Sequence, residues 1–226
     1  ENHGQKFYND VMNKEGFTND DGFVGSVKDY FLAQSDGKFN LTFDVKGPYM
    51  MSQNYGYYGQ DVGNTDSNDA HAMDMVKEAC AQANAEGADF SQYDWYGDGD
   101  VDLVYVIYAG YGQATGGDAN TIWPHARRGA WISSYGGKQQ RQYACSNELN
   151  GDSGSHPSGI GTICHEFSHC PGYPDMYDCT YSGIHSMGTW DIMCSGSYNG
   201  NSFRPAGYTA YEKWVAGWLT PTELST

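Results

Sequence analysis

The residues best suited to chemistry lie in one stretch, Cys164-His165-Glu166-Phe167-Ser168-His169-Cys170-Pro171-Gly172-Tyr173-Pro174-Asp175. Its H-E-x-x-H spacing sets His165 and His169 at i and i+4, one above the other on a helix, so two imidazoles can address one ion. Glu166 is rotated about 100° from the first histidine. There it can face the same cleft without being forced into the metal shell. Two nitrogen ligands plus a carboxylate able to take a proton from an activated water make a zinc hydrolase site. Gly172 can supply the positive φ that ends the helix, and Pro174 keeps it from resuming. The turn brings Asp175 back toward the histidines as the candidate third ligand. Asp178, His185 and Asp191 are the other donors near in sequence. Two histidines and one carboxylate leave a position open on zinc, the catalytic rather than the structural pattern. The plain alternative is a packed helix with two incidental histidines.

A second group is acidic. Residues 94–102 read DWYGDGDVD, with Asp98, Asp100 and Asp102 alternating in a glycine-punctuated loop and Asp94 close by. Oxygen donors at alternating loop positions suit Ca²⁺. The stretch lacks the twelve-residue EF-hand arrangement and its terminal glutamate, so that motif does not apply. The other reading is a solvated acidic turn.

Several elements must hold these groups in place. Phe7, Tyr8, Val11 and Met12 predict a helix within 4–15. Ser26 and Asp29 form a capping box ahead of a short helix that Gly37 follows. Alternation of Phe39, Leu41, Phe43 and Val45 predicts a half-buried strand over 38–46. Residues 47–68 read as a surface loop, and helix returns at about 69–85. Val101–Ala109 is the most apolar strand and is expected to be central. Gly110, Gly112, Gly116 and Gly117 then make a flexible connection. His125 is expected to be structural rather than a ligand, and 147–157 is expected to be loop. The site helix is predicted from near Ser158, with Ile160, Ile163, Phe167 and Cys170 as its apolar stripe. Gly159 and Gly161 within it imply tight packing or a late start. A last helix is predicted over 205–216, opened by Pro205, packed through Tyr208, Tyr211, Trp214 and Val215, and ended by Gly217.

The chain has 226 residues, with 12 Lys and Arg against 28 Asp and Glu, a formal net charge of −16. That charge argues against a nucleic-acid backbone as partner. No apolar run approaches the roughly 18 residues of a membrane span. The N-terminus lacks a signal-peptide core, so any export signal is expected to have been removed. Six cysteines, at 80, 145, 164, 170, 179 and 194, show no paired C-x-x-C spacing. They are expected to form disulfides in an oxidising compartment, with connectivity open. A Cys170–Cys179 bridge would restrain the Asp175 turn. The alternative is free buried thiols in a cytosolic enzyme.

The H-E-x-x-H-x-x-G-x-P-D pattern of His165, Glu166, His169, Gly172, Pro174 and Asp175 resembles the extended motif of metzincin-type metallopeptidases. More specifically, it resembles that of the immune inhibitor A-type family of secreted bacterial enzymes. Further pieces are similar to the same family: S-V-x-D-Y-F at Ser26–Phe31, the acidic turn, Y-A-G at Tyr108–Gly110 and I-W-P-H at Ile122–His125, D-I-M-C-S-G around Met193, and A-Y-E-K-W-V-A-G-W-L-T-P near the end. The resemblance implies an α/β fold: one zincin-like, metzincin-like catalytic domain over 1–226, with an N-terminal subdomain (1–171) and a small C-terminal one (172–226). A twisted mixed sheet, a backing helix and the active-site helix would make up the first. It implies Zn²⁺ as cofactor, Glu166 as general base, and Met193 as a packing residue beneath the metal. A protein or peptide substrate would pair with an edge strand at Gln140–Ser146, in a groove between the subdomains. The resemblance also implies a monomer that is secreted, periplasmic or on the surface of a bacterium, with a propeptide and further domains missing from this sequence. Tyr181 and Tyr198 are the candidate oxyanion donors. The rivals are a zinc-dependent amide or ester hydrolase acting on a non-peptide substrate, and a non-catalytic binding module with a vestigial site.

Overall fold

Local capping chemistry and burial select the elements of the computed structural model, which describes residues 3–63, 69–129, 131–180 and 182–224. In chain order the helices are α1 (Gln5–Asn13), α2 (Val27–Gln34), α3 (Tyr55–Tyr58), α4 (Ala72–Ala85), α5 (Ile160–His169) and α6 (Ala210–Val215). The strands are β1 (Asp100–Val101), β2 (Tyr105–Tyr111), β3 (His125–Arg127), β4 (Ser133–Tyr135), β5 (Lys138–Gln140) and β6 (Tyr143–Leu149). The expected capping box opens α2: the Ser26 hydroxyl accepts from Asp29 N–H at 3.1 Å, while the Asp29 carboxylate accepts from Ser26 N–H at 2.9 Å. This satisfies donors that a helix start otherwise leaves open.

The chain divides into two compact units. One is built mainly from Lys46–Ser158 with Glu166–Gly172. Its core joins α4, through Met75, Val76 and Cys80, to strand residues including Val101, Tyr108, Tyr143 and Cys145. Two three-stranded sheets are described there, in the orders β1-β5-β4 and β2-β6-β3. In the second, β6 runs parallel to β2 and antiparallel to β3. The other unit is built mainly from Lys6–Val45, Gly159–His165 and the chain from Tyr173 onward. It is held by aromatic contacts: Phe23 meets Phe7, Phe17 and Phe203, and Trp218 meets Phe39, Tyr173 and Tyr208.

Several expectations are corrected. The apolar run from Val101 to Ala109 is split between β1 and β2, and β2 is an outer strand of its described sheet. The central strand is β6, buried at every residue but the last. Its Ser146, Asn147 and Glu148 disguise that burial in the sequence. Glu148 is tolerated inside because Gly110 N–H donates to it at 3.1 Å and His3 Nδ1 lies 3.0 Å away. The edge strand expected at Gln140–Ser146 is therefore not an edge, since β6 is paired on both sides. Residues 38–46 keep the alternating burial of a strand but belong to neither described sheet. There the Asn13 amide accepts from Phe43 N–H at 2.7 Å and donates to Phe43 C=O at 2.9 Å, as a neighbouring strand would. The loop expected over 47–68 contains α3; its residues 64–68 lie outside the described set.

The last helix starts at Ala210, not Pro205. The side chains of Thr209 and Glu212 cap it reciprocally, a T-x-x-E signal that the proline obscured. Tyr211, Trp214 and Val215 are exposed, and the helix buries Glu212 instead. Gly217, at φ 72°, ends it as expected. Nor do the six cysteines form disulfides, and only Cys179 is exposed. They occupy separate environments, with Cys80 Sγ accepting from Gln140 Nε2 at 3.3 Å and Cys194 Sγ 3.2 Å from Ser186 Oγ.

Candidate metal and catalytic site

Helix α5 carries the site. Every residue from Ile160 to Ser168 is buried, so the helix has no solvent face beyond His169. The expected stripe of Ile160, Ile163, Phe167 and Cys170 is buried, and so are Thr162 and Ser168 opposite. Glycine explains how the first turn fits. A Cβ on Gly161 would run into the Ser197 carbonyl oxygen, and one on Gly159 into the Ser202 backbone. The tight packing is thus against the 197–202 segment, and the helix also starts two residues later than Ser158. Gly161→Ala is expected to lower the melting temperature. Overpacking costs about 1–3 kcal/mol, more than the roughly 1 kcal/mol that alanine gains over glycine in a helix. A variant melting at or above wild type would show that the Ser197 segment yields.

Among the described residues, His165, Glu166 and His169 form the one group of metal-ligating side chains whose donor atoms all lie within 4.8 Å of one another. His165 is oriented from behind. Its Nδ1 donates to the Ile192 carbonyl at 2.7 Å, which leaves the lone pair of the neutral ring on Nε2. That Nε2 lies 3.2 Å from Asp175 Oδ1. Two electron-pair donors at this distance require a proton or a cation between them, so the donor set fits a metal. Gly172, at φ 111°, makes the turn that returns Asp175. Glu166 is 8% exposed, and its Oε2 is 4.0 Å from His169 Nε2. Burial pushes the Cys170 thiol up to about 12 and the Cys164 thiol well above its ordinary value. Neither flanking sulfur belongs to the cluster of ligating atoms on this helix.

The other candidates fall elsewhere. Asp178 accepts from Thr180 Oγ1 at 2.6 Å, Thr180 N–H at 3.0 Å, Ser182 Oγ at 3.0 Å and Ile184 N–H at 3.1 Å. The Thr180 hydroxyl and these further donors hold its carboxyl well below the usual range. Asp178 thus closes its own loop. His185 is exposed. Asp191 accepts from Met193 N–H at 2.9 Å, and Met193 is fully buried with its carbonyl accepting from Met176 N–H at 2.7 Å. His125 uses both ring nitrogens, Nδ1 toward Trp123 O at 2.7 Å and Nε2 toward the Tyr143 hydroxyl at 2.8 Å, and burial lowers its pKa. It is structural, as expected. Tyr198 is exposed, and Tyr181 lies outside the described residues. Sequence reasoning missed the Ile192 carbonyl, a backbone group that no residue type announces, and the buried Glu212.

The acidic loop is built around its own backbone. Asp94 accepts from the N–H groups of Gly97, Asp98 and Gly99 at 2.7, 3.1 and 3.1 Å, and Lys138 Nζ sits 2.6 Å from it. Asp98 accepts from Asp100 N–H at 3.0 Å, Asp102 from Trp95 N–H, and Arg141 Nε lies 3.3 Å from Asp100.

The chain matches, over residues 1–220, the family described as immune inhibitor A peptidase M6, catalytic domain. It belongs to that family. Relatives of the M6 domain include the pre-pro-metalloprotease PrtV of Vibrio cholerae serotype O1, 28% identical over 94% of this chain and 26% of that protein. Another is immune inhibitor A of Bacillus thuringiensis subsp. alesti, 27% identical over 93% of this chain and 35% of that protein. The chain thus spans about a quarter to a third of the length of these relatives. Family and helix cluster together make this a metzincin-like zinc metallopeptidase domain.

Proposed function

We propose that this domain is the catalytic part of an endopeptidase that hydrolyses peptide bonds of protein substrates, with zinc held by His165, His169 and Asp175. The observation that carries the reading is the convergence of His165, Glu166 and His169 on one buried helix in an M6 chain. The 3.2 Å approach of Asp175 Oδ1 to His165 Nε2 extends it. Bound zinc would polarise the scissile carbonyl and acidify an attacking water. The Glu166 carboxylate takes that water's proton and delivers it to the leaving nitrogen. The Ile192 carbonyl holds His165 in the tautomer that ligation needs. β3, the antiparallel outer strand of the described β2-β6-β3 sheet, is the strand proposed to pair with an extended substrate.

Digestion of an unbiased peptide library tests this. Internal cleavages that a zinc chelator abolishes and added zinc restores are expected. Hydrolysis of ester or non-peptide amide substrates with the library left intact would favour the rival hydrolase. Binding without turnover of any of these substrates would favour the non-catalytic module. The name of the Vibrio cholerae relative, a pre-pro-metalloprotease, supports action outside the cytoplasm. Among the described residues no helix is long and apolar enough to cross a membrane.

A calcium ion at Asp98, Asp100 and Asp102 is supported by their alternation in a glycine-punctuated loop, and opposed by the cations of Lys138 and Arg141 already there. Millimolar calcium is therefore expected to leave the melting temperature unchanged. A calcium-dependent rise that Asp100→Asn removes would place the ion at this turn, because a ligand bound only by the folded state stabilises it.

A further inference from the structure

Two carboxyl groups are buried together beside the backbone that orients His165. Asp191 is 0% exposed and Glu212 is 1% exposed. Each has one oxygen satisfied: Asp191 Oδ1 accepts from Met193 N–H at 2.9 Å, and Glu212 Oε2 accepts from the Thr209 N–H at 2.7 Å and hydroxyl at 2.8 Å. The remaining oxygens, Asp191 Oδ2 and Glu212 Oε1, are buried without a donor. Yet the two side chains are hydrogen-bond neighbours. Two ionised carboxylates in such contact repel, and an unsatisfied buried charge is costly. A single proton between the two oxygens turns that repulsion into a short, charge-assisted O–H···O bond.

We infer that Asp191 and Glu212 share one proton and act as a positioning pair for His165. The pair ties α6 to the Asp191–Met193 turn. The carbonyl between those two residues, that of Ile192, accepts from His165 Nδ1 at 2.7 Å. The consequence for zinc rests on the ligand role proposed above; the proton sharing does not. Burial raises the pKa of both carboxyls, as a retained proton requires.

Amide substitutions test the sharing directly. Asp191→Asn can keep its oxygen on Met193 N–H and turn an N–H donor to Glu212; Glu212→Gln can do the converse. Each single variant is expected to melt within a few degrees of wild type, about the shift of 1 kcal/mol. The double variant sets two N–H donors against each other with no acceptor between them. It is expected to melt well below both singles, with and without zinc. Its zinc affinity, by chelator competition, should fall roughly 10-fold or more, the scale of losing an outer-shell partner. An unrecoverable double variant beside two folded singles counts as the same loss. Asp191→Ala serves as the comparison that removes the contact. Single amide variants as damaging as Asp191→Ala, or a double variant as stable as the singles, would overturn the shared proton. Normal melting behaviour of the series with unchanged zinc affinity in the double variant would overturn only the positioning of His165.

Discussion

Glu166→Gln is expected to lower peptide turnover by roughly 10²-fold or more, while bound zinc stays at the wild-type level. Glutamine keeps the length, polarity and shape of the side chain, so the 8% exposed position on α5 is filled as before. The amide oxygen cannot take a proton from water near neutral pH, and the amide nitrogen has none to hand to a leaving amine without gaining charge. Both halves of the proton transfer are lost in one substitution. His165 and His169 are untouched, and the Ile192 carbonyl still fixes His165. Zinc content measured beside steady-state kinetics separates these effects. A zinc-replete variant cleaving peptides at the wild-type rate would remove Glu166 from the proton-transfer role.

Asp175→Asn carries the second large effect. Replacing a carboxylate ligand with a neutral amide removes the charge that balances the metal. The loss in zinc affinity should be at least the roughly 10–100-fold that outer-shell partners contribute. Far-ultraviolet dichroism should stay near wild type, because the turn is made by Gly172 rather than by the carboxylate. Asp178→Asn should leave affinity unchanged, since that carboxylate is occupied by Thr180, Ser182 and Ile184 in its own loop. The reverse outcome, with Asp178→Asn weakening zinc and Asp175→Asn silent, would move the third ligand one turn onward.

The helix bearing these residues was legible because its information is local. The i, i+4 spacing, the glycine turn and the aspartate after it all lie within eleven residues. Capping boxes are local too, as the Ser26 and Asp29 pair ahead of α2 shows. Burial is not local. β6 contains Ser146, Asn147 and Glu148, and only the tertiary partners of Glu148 make that strand central rather than exposed. Helix α6 misled for the same reason: its aromatic face is exposed, while the charged Glu212 is buried against Asp191. The disulfide expectation followed from cysteine number, which carries no information on where six sulfurs meet. Backbone acceptors are invisible to any reading of residue types, so the Ile192 carbonyl that orients His165 appeared only with the fold.

Elemental analysis of the purified chain, dialysed after exposure to zinc, shows whether the α5 site holds the metal. About one zinc per chain is expected for wild type and for Glu166→Gln, as for a catalytic site with two histidines and a carboxylate. His165→Ala and His169→Ala should each retain far less. A wild-type chain that retains no zinc, or a His169→Ala variant that keeps the full equivalent, would contradict a zinc site on this helix.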